Sequence, residues 1–174
     1  MHILIIILAI LVIPFIIALF MAKDFSIEKD IIINKPQQEV FDYIKILKNS
    51  GNYNKWVMTD PNLRKSFTGT DGTVGFVYGW DSDNKQVGKG EQEIKKLTNT
   101  RVDYEIRFEK PFKGISTAYI DTASIDTNKT KVTWVFSSDR NYLMCIMHLL
   151  LNLKKVLGND LQTSLVNLKT LLEK

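Results

Sequence analysis

Residues 101–109, RVDYEIRFE, decide the fold, because apolar and charged residues alternate strictly along them. The apolar positions are Val102, Tyr104, Ile106 and Phe108. Side chains of a β-strand point alternately to opposite faces of the sheet, so one face of this segment is buried and the other is in contact with water. The segment is therefore predicted to be a half-buried antiparallel strand.

Similar segments lie on both sides of this strand. Further strands are predicted at residues 25–34, 73–80, 86–97, 114–125 and 131–138, separated by turn-forming clusters. Gly88 and Gly90 predict a bulge in the strand that contains them. A helix is predicted after Pro36, and a loop with a short helical turn is predicted at residues 49–62.

The chain changes to a helical period near residue 142. Apolar residues, mainly leucines, recur every three or four positions up to Leu172, which predicts one long amphipathic helix with Gly158 as a candidate bend. A sheet with one apolar face needs a cover, and this helix is the element long enough to provide it. We therefore expect the helix to lie across a curved sheet, leaving an apolar space between them.

The N-terminal segment carries no charge from residue 3 to residue 21, ILIIILAILVIPFIIALFM. At 1.5 Å per residue it would span roughly 28 Å, close to the ~30 Å hydrocarbon core of a bilayer. Its length and the poor cleavage site at Phe20 argue against a removable signal peptide. We therefore predict a transmembrane anchor at residues 1–22 and a folded domain at residues 23–174. Lysines after the anchor predict a single-pass membrane protein with a cytoplasmic domain.

The composition excludes several classes of function. The 174 residues include 23 Lys and Arg against 19 Asp and Glu, with one cysteine and two histidines. A His/Cys metal cluster and an internal disulfide framework are not expected, and no cofactor is predicted. The basic residues are scattered and do not form a stripe with interleaved aromatic residues, so no nucleic-acid partner is expected.

Few residues are candidates for catalysis. His148 and Cys145 fall on the terminal helix, where a solvated or capping histidine and a packed thiol are the expected roles. Glu91 and Glu93 share one face of their strand, and the alternation places that face in water. No catalytic residue is therefore assigned.

The aromatic residues give a stronger signal. Several are predicted to face the concave side of the sheet, and Trp56 lies in the loop beside the expected cavity mouth. Apolar pockets with a few polar groups are the usual form of a small-molecule site. The alternative is that these side chains only fill the core. The candidate ligand-binding residues are Trp56, Phe76, Tyr78, Trp80, Tyr104, Phe108, Trp134 and Phe136.

The order of several short segments is that of a known superfamily. Between residues 25 and 173 these segments include INKPQQEVFDYI, GTDGTVGFVYGW, VGKGEQEI, FEKPFKGISTAY, TKVTWVF and LQTSLVNLKTLLE. The chain resembles the SRPBCC superfamily of START-like or polyketide-cyclase-like helix-grip domains, some of which are membrane-tethered. The resemblance implies an α+β fold in which a curved seven-stranded antiparallel sheet wraps around a C-terminal helix and a hydrophobic cavity. It does not fix an activity, because the superfamily contains carriers, receptors, cyclases and chaperone activators.

The predicted function is a membrane-anchored, noncatalytic domain that binds a hydrophobic small molecule or a lipid. Two alternatives stay open. A cyclase- or hydrolase-type enzyme would use Tyr78 and Tyr104, and would need both hydroxyls at one point of the cavity. A protein-interaction module, with an unidentified partner, would show a contiguous exposed apolar patch.

Overall fold

The computed structural model describes residues 12–139 and 141–174. Seven strands form one antiparallel sheet in the order β1-β7-β6-β5-β4-β3-β2. The strands are β1 (Asp24–Ile33), β2 (Arg64–Thr68), β3 (Val77–Asp81), β4 (Lys89–Leu97), β5 (Arg101–Lys110), β6 (Gly114–Asp126) and β7 (Lys129–Asp139). The helices are α1 (residues 12–20 of the described chain), α2 (Gln37–Ile44), a 3-10 helix (Leu47–Asn52), α3 (Lys55–Met58), α4 (Tyr142–Leu151) and α5 (Leu153–Leu172). The predicted helix-grip-like α+β architecture is confirmed.

Helix α5 covers the concave face of the sheet. Its residues Leu161, Leu165 and Leu168 are at most 1% exposed, at the helical spacing that the sequence predicts. They pack in one core with inward-facing strand residues such as Val102 and Val132. Each fully buried leucine contributes about 1.5–3 kcal/mol, so this face of α5 holds the helix on the sheet.

The charged face of β5 lies on the outside of the sheet, as its alternation predicts. There Arg107 forms ion pairs with Glu91 at 2.5 Å, with Glu93 at 2.7 Å and with Glu105. These contacts hold the pKa of the Glu93 carboxyl below its usual range, chiefly through the Arg107 hydrogen bond. Both Glu91 and Glu93 therefore belong to an external salt-bridge network, as expected.

Two strand predictions differ from the structure. Strand β2 was not predicted, because all five of its residues are exposed and leave no apolar alternation to read. Strand β3 begins at Val77 and not at residue 73, because the preceding segment is a turn in which Gly72 and Gly75 have φ of 75° and 89°. Val74, which shares the alternation of Phe76, Tyr78 and Trp80 in the predicted strand, is 60% exposed.

The terminal helix is two helices. Asn152 adopts a left-handed conformation, with φ 47° and ψ 46°, and separates α4 from α5. The predicted bend at Gly158 is wrong, since Gly158 lies inside α5 at a close approach to β1, where an added Cβ would lie 3.3 Å from the Lys29 side chain. The expectation that residues 142–172 form one lid is therefore correct only for α5.

Helix α4 packs beside α1. Ala18 contacts Cys145 and Ile146 in a small buried cluster, and the Tyr142 hydroxyl donates to the Phe15 carbonyl at 3.1 Å. The buried Cys145 agrees with its expected role as a packed thiol. The prediction of a solvated His148 is wrong, because its ring is buried against Phe25 with the ring centroids 4.2 Å apart, and a capping role stays a prediction.

The predicted membrane anchor covers residues 1–22, of which residues 1–11 lie outside the described residues. Within the described ranges, no helix combines the length and apolar character needed to span a bilayer. The described part of α1 would cover about 14 Å of a core of about 30 Å, and α5, though longer, carries Lys154, Lys155 and Asp160. This finding corrects the prediction of a single-pass membrane protein with a cytoplasmic domain. The boundary between residues 22 and 23 stays a prediction.

Candidate functional site: a cavity under helix α5

A cavity of about 240 Å³ lies between the concave face of the sheet and helix α5. Most of its wall is aliphatic or aromatic. The lining residues are Ser50, Asn54, Trp56, Val57, Leu63, Tyr78, Trp80, Gln86, Val87, Gln92, Ile106, Phe108, Lys110, Pro111, Ala118, Trp134, Phe136, Leu157 and Leu161. All three tryptophans of the chain are among them.

On strands β3, β4 and β5, the register places the cavity at one end of the sheet. Tyr78, Gln92 and Ile106 of one cross-strand row line it together with Trp80 and Phe108 of the next row, and we call this end the hollow half. The next row, Phe76–Ile94–Tyr104, is buried in the core and does not line the cavity, and we call that end the packed half. The boundary between the two halves therefore lies between successive inward-facing residues of the same strand, for example between Tyr104 and Ile106 of β5.

The shape of the hollow half depends on Gly90. An added Cβ there would lie 2.5 Å from the Arg107 carbonyl oxygen and 2.7 Å from the Trp80 ring, so no side chain fits. The Trp80 indole uses this space, donates to the Val87 carbonyl at 3.3 Å and packs edge-on against Phe108. The register shift between Lys89 and Gly90 confirms the predicted bulge.

Helix α3 places Trp56 and Val57 in the cavity wall. The Asn54 side chain caps this short helix by accepting from the Trp56 backbone N–H at 3.0 Å. The Lys55 ammonium pairs with Asp160 of α5, and the Lys55 backbone N–H donates to the Ser164 hydroxyl at 2.9 Å. These contacts join α3 to α5 and fix the wall that carries Trp56.

Six of the eight candidate ligand-binding residues line the cavity. They are Trp56, Tyr78, Trp80, Phe108, Trp134 and Phe136. Phe76 and Tyr104 lie one row deeper, where Phe76 stacks with Phe67 at 6.3 Å between centroids. Their assignment to the cavity is therefore wrong, whereas ligand binding by the other six stays a prediction.

Sequence reasoning missed other wall residues. Gln92 and Ile106 share the inward phase of their strands and could have been found from the alternation, whereas Lys110 is a charged residue at a strand end. Leu63, Gln86, Val87 and Pro111 lie in connections between strands, where no periodic pattern exists to indicate direction.

The hydroxyls of Tyr78 and Tyr104 are buried and have no hydrogen-bond partner among the described residues. Burial raises the pKa of Tyr78 to about 12 and raises the pKa of Tyr104 well above its usual value. Both phenols are therefore neutral at pH 7, so neither is poised to act as a base. Only Tyr78 borders the cavity, so the two hydroxyls do not share one cavity point, as the enzyme alternative requires.

The described wall offers apolar surface, hydrogen-bonding groups and one charge, but no acid–base pair. None of its residues is Asp, Glu, His or Cys, and Lys110 is its one charged side chain. Among residues 12–139 and 141–174, no group of three or more His, Cys, Asp or Glu could hold a metal ion. The arrangement is chemically suited to holding an apolar molecule.

No protein-family model and no curated protein matches this sequence. Norcoclaurine synthase from Thalictrum flavum is structurally similar, with a TM-score of 0.64 at 7% identity over 86% of this chain and 93% of that one. Ara h 8.0201 gives 0.56 at 11% identity over 84% and 99% of the two chains. The di-domain ARO/CYC BexL from the BE-7585A biosynthetic pathway gives 0.55 at 12% identity, over 85% of this chain and 50% of that one. At such identities the likeness shows the fold alone, and that fold is of the SRPBCC type, as the sequence predicts.

Proposed function

We propose that this domain binds a compact hydrophobic molecule in the cavity between the sheet and helix α5. The observation that carries the proposal is a cavity of about 240 Å³ whose wall contains all three tryptophans of the chain. Protein interiors are normally packed without such space, so an occupant is a better explanation than incomplete packing.

The size of the cavity narrows the class of ligand. A cavity of about 150 Å³ accommodates benzene, whereas drug-sized ligands use pockets of about 300–1,000 Å³. At about 240 Å³ this cavity suits a molecule of one or two rings and is too small for a whole phospholipid. A small apolar molecule therefore fits better than a complete membrane lipid.

The apolar surface that a ligand would bury in the cavity gives an expected affinity for that ligand. A two-ring aromatic molecule would remove about 150–250 Å² of apolar surface from water, which contributes about 4–6 kcal/mol. Costs of association reduce this gain, so we expect dissociation constants of about 0.1 mM or higher for simple probes.

The tryptophans allow a direct test with the full chain. Titration with 2-naphthol, followed by the NMR signals of the indole N–H groups, should shift all three signals along one saturable curve, because Trp56, Trp80 and Trp134 line the same cavity. Calorimetry should give the same dissociation constant. Absence of saturation, or shifts of unrelated signals only, would refute the proposal.

A blocking variant gives the matched control. Ala118 is 5% exposed and faces the cavity, so Ala118→Leu should fill part of the space and weaken 2-naphthol binding by about tenfold or more. Ala123 lies on the exposed side of the same strand β6, so Ala123→Leu should leave the affinity unchanged. Equal effects of the two variants would contradict binding in this cavity.

The enzyme alternative lacks the inward polar pair that it needs, since Tyr104 does not border the cavity. The interaction-module alternative stays a prediction. Binding is therefore the function that the arrangement of the described residues supports best.

A further inference from the structure

The charge of the cavity wall has one source. Lys110 is the one charged side chain among the described lining residues, and no carboxylate accompanies it. A cationic ligand would meet an uncompensated positive charge there, whereas an anionic ligand would gain a partner.

The position of Lys110 is that of a rim residue. It is the last residue of β5 and follows Ile106 and Phe108 on the inward phase of that strand. Two residues of extended chain separate it from Phe108, a distance of about 7 Å along the strand. Because Lys110 both lines the cavity and is exposed, this residue lies where the apolar wall meets water.

Lys110 forms no ion pair within the described chain, whereas two other lysines, Lys89 and Lys55, do. Lys89, its register partner, binds Glu109 at 2.8 Å, and Lys55 binds Asp160. Lys110 acts electrostatically on the carboxylate of Asp83. The pKa of Asp83 is lowered chiefly by its hydrogen bonds to Arg64 and only slightly by Lys110. Arg64 therefore occupies Asp83, and the Lys110 ammonium is left for an incoming anion.

Resting on the proposed function, we propose that the cavity binds a compact amphipathic acid. The apolar ring system of such a ligand occupies the hollow half, and its carboxylate pairs with the Lys110 ammonium at the rim. This names both the chemical class of the ligand and a residue that determines specificity.

Two probes of equal shape test this inference on the full chain. 2-Naphthoate carries a carboxylate at pH 7, and 2-naphthamide is its neutral counterpart. Since pairs at an exposed rim are weak, calorimetry at low salt should show about three- to tenfold tighter binding of 2-naphthoate. The preference should shrink at high salt, and 2-naphthylmethylammonium should bind most weakly of the three.

Variants assign the preference to Lys110. Lys110→Met should bring the naphthoate-to-naphthamide affinity ratio to about one. Lys113→Met, which removes an exposed lysine that does not line the cavity, should keep the ratio. Saturable binding of 2-naphthamide by the Lys110 variant shows that this variant is folded.

The outcomes separate this inference from the proposed function. If both probes bind equally to wild type, or if Lys110→Met keeps the preference for 2-naphthoate, the assignment of an acid to this cavity is overturned and hydrophobic binding stands. If wild type binds neither probe, both proposals are overturned.

Discussion

The packed half and the hollow half of the space under α5 are built from the same strands but are filled differently. In the packed half, Ile94 and Tyr104 belong to the same core cluster as Leu165 and Leu168, and all four are at most 2% exposed. In the hollow half, the large aromatic side chains stand around a cavity and do not fill it. On strands β3, β4 and β5, core residues and cavity residues therefore lie in different rows of the sheet, so stability and binding can be changed separately there.

The largest expected effect comes from truncating α5 above each half. Leu165→Ala should lower the free energy of unfolding by about 2–5 kcal/mol, because Leu165 is fully buried in the packed half. Leu157→Ala, above the hollow half, should cost about 1 kcal/mol, because the half-buried Leu157 already borders a cavity. Urea denaturation of both variants measures the difference, and equal losses would break the distinction between the halves.

An intermediate loss of stability is expected on substitution of Gly90, whose lack of a side chain leaves room for the Trp80 ring. Gly90→Ala should destabilise the protein by about 1–3 kcal/mol, because the new methyl group overlaps the Trp80 ring and the Arg107 carbonyl. Gly114→Ala is the control, since nothing lies within 4 Å of its added Cβ. The indole N–H signal of Trp80 should move only in the Gly90 variant, and an unmoved signal would contradict the steric account.

The smallest expected change in stability comes from two tyrosine variants, one in each half, which should differ in ligand binding. Tyr78→Phe and Tyr104→Phe each remove a buried hydroxyl that has no partner in the described chain, so each should raise the free energy of unfolding by about 1 kcal/mol. Only Tyr78→Phe should also alter the affinity for 2-naphthol, because Tyr78 alone borders the cavity. Changed binding in the Tyr104 variant would place that residue in the site.

Alkaline pH gives a second measurement of the same pair. The pKa of Tyr78 rises from 10.0 to about 12 on folding, so between these values the unfolded chain has lost a proton that the folded chain keeps. Stability is therefore full below pH 10 and falls as the pH rises towards 12, by about 2 kcal/mol from this group. Tyr78→Phe should make the alkaline decline less steep than in wild type, and an identical decline would contradict burial of that phenol.

The sequence predicted secondary structure correctly where a regular apolar pattern corresponds to one buried face of a strand or helix. Alternation predicted β5 with its inward Val102 and Tyr104, and the leucine period predicted the buried face of α5. Strand β2 could not be predicted, because an exposed edge strand needs no apolar alternation. The break between α4 and α5 depends on the left-handed backbone conformation of Asn152. The spacing of the leucines does not indicate this conformation.

The candidate site shows the same limit. Alternation places a side chain on the inner face but does not say how far along the strand packing ends, so Phe76 and Tyr104 were assigned to the cavity with their neighbours. Lys110 continues the inward phase of Ile106 and Phe108, yet a charged residue at a strand end is usually solvated, and only the structure places it in the wall.

The pairing of β1 with β7 also constrains synthesis of the protein. Asp24 lies opposite Asp139, so the first strand finds its hydrogen-bond partner only after nearly all of the sheet has been translated. Helix α5, which rests on β1, is made later still. Because the decisive contacts are distant along the chain, folding should be slow, and a nascent chain with an unpaired β1 is the species most exposed to aggregation.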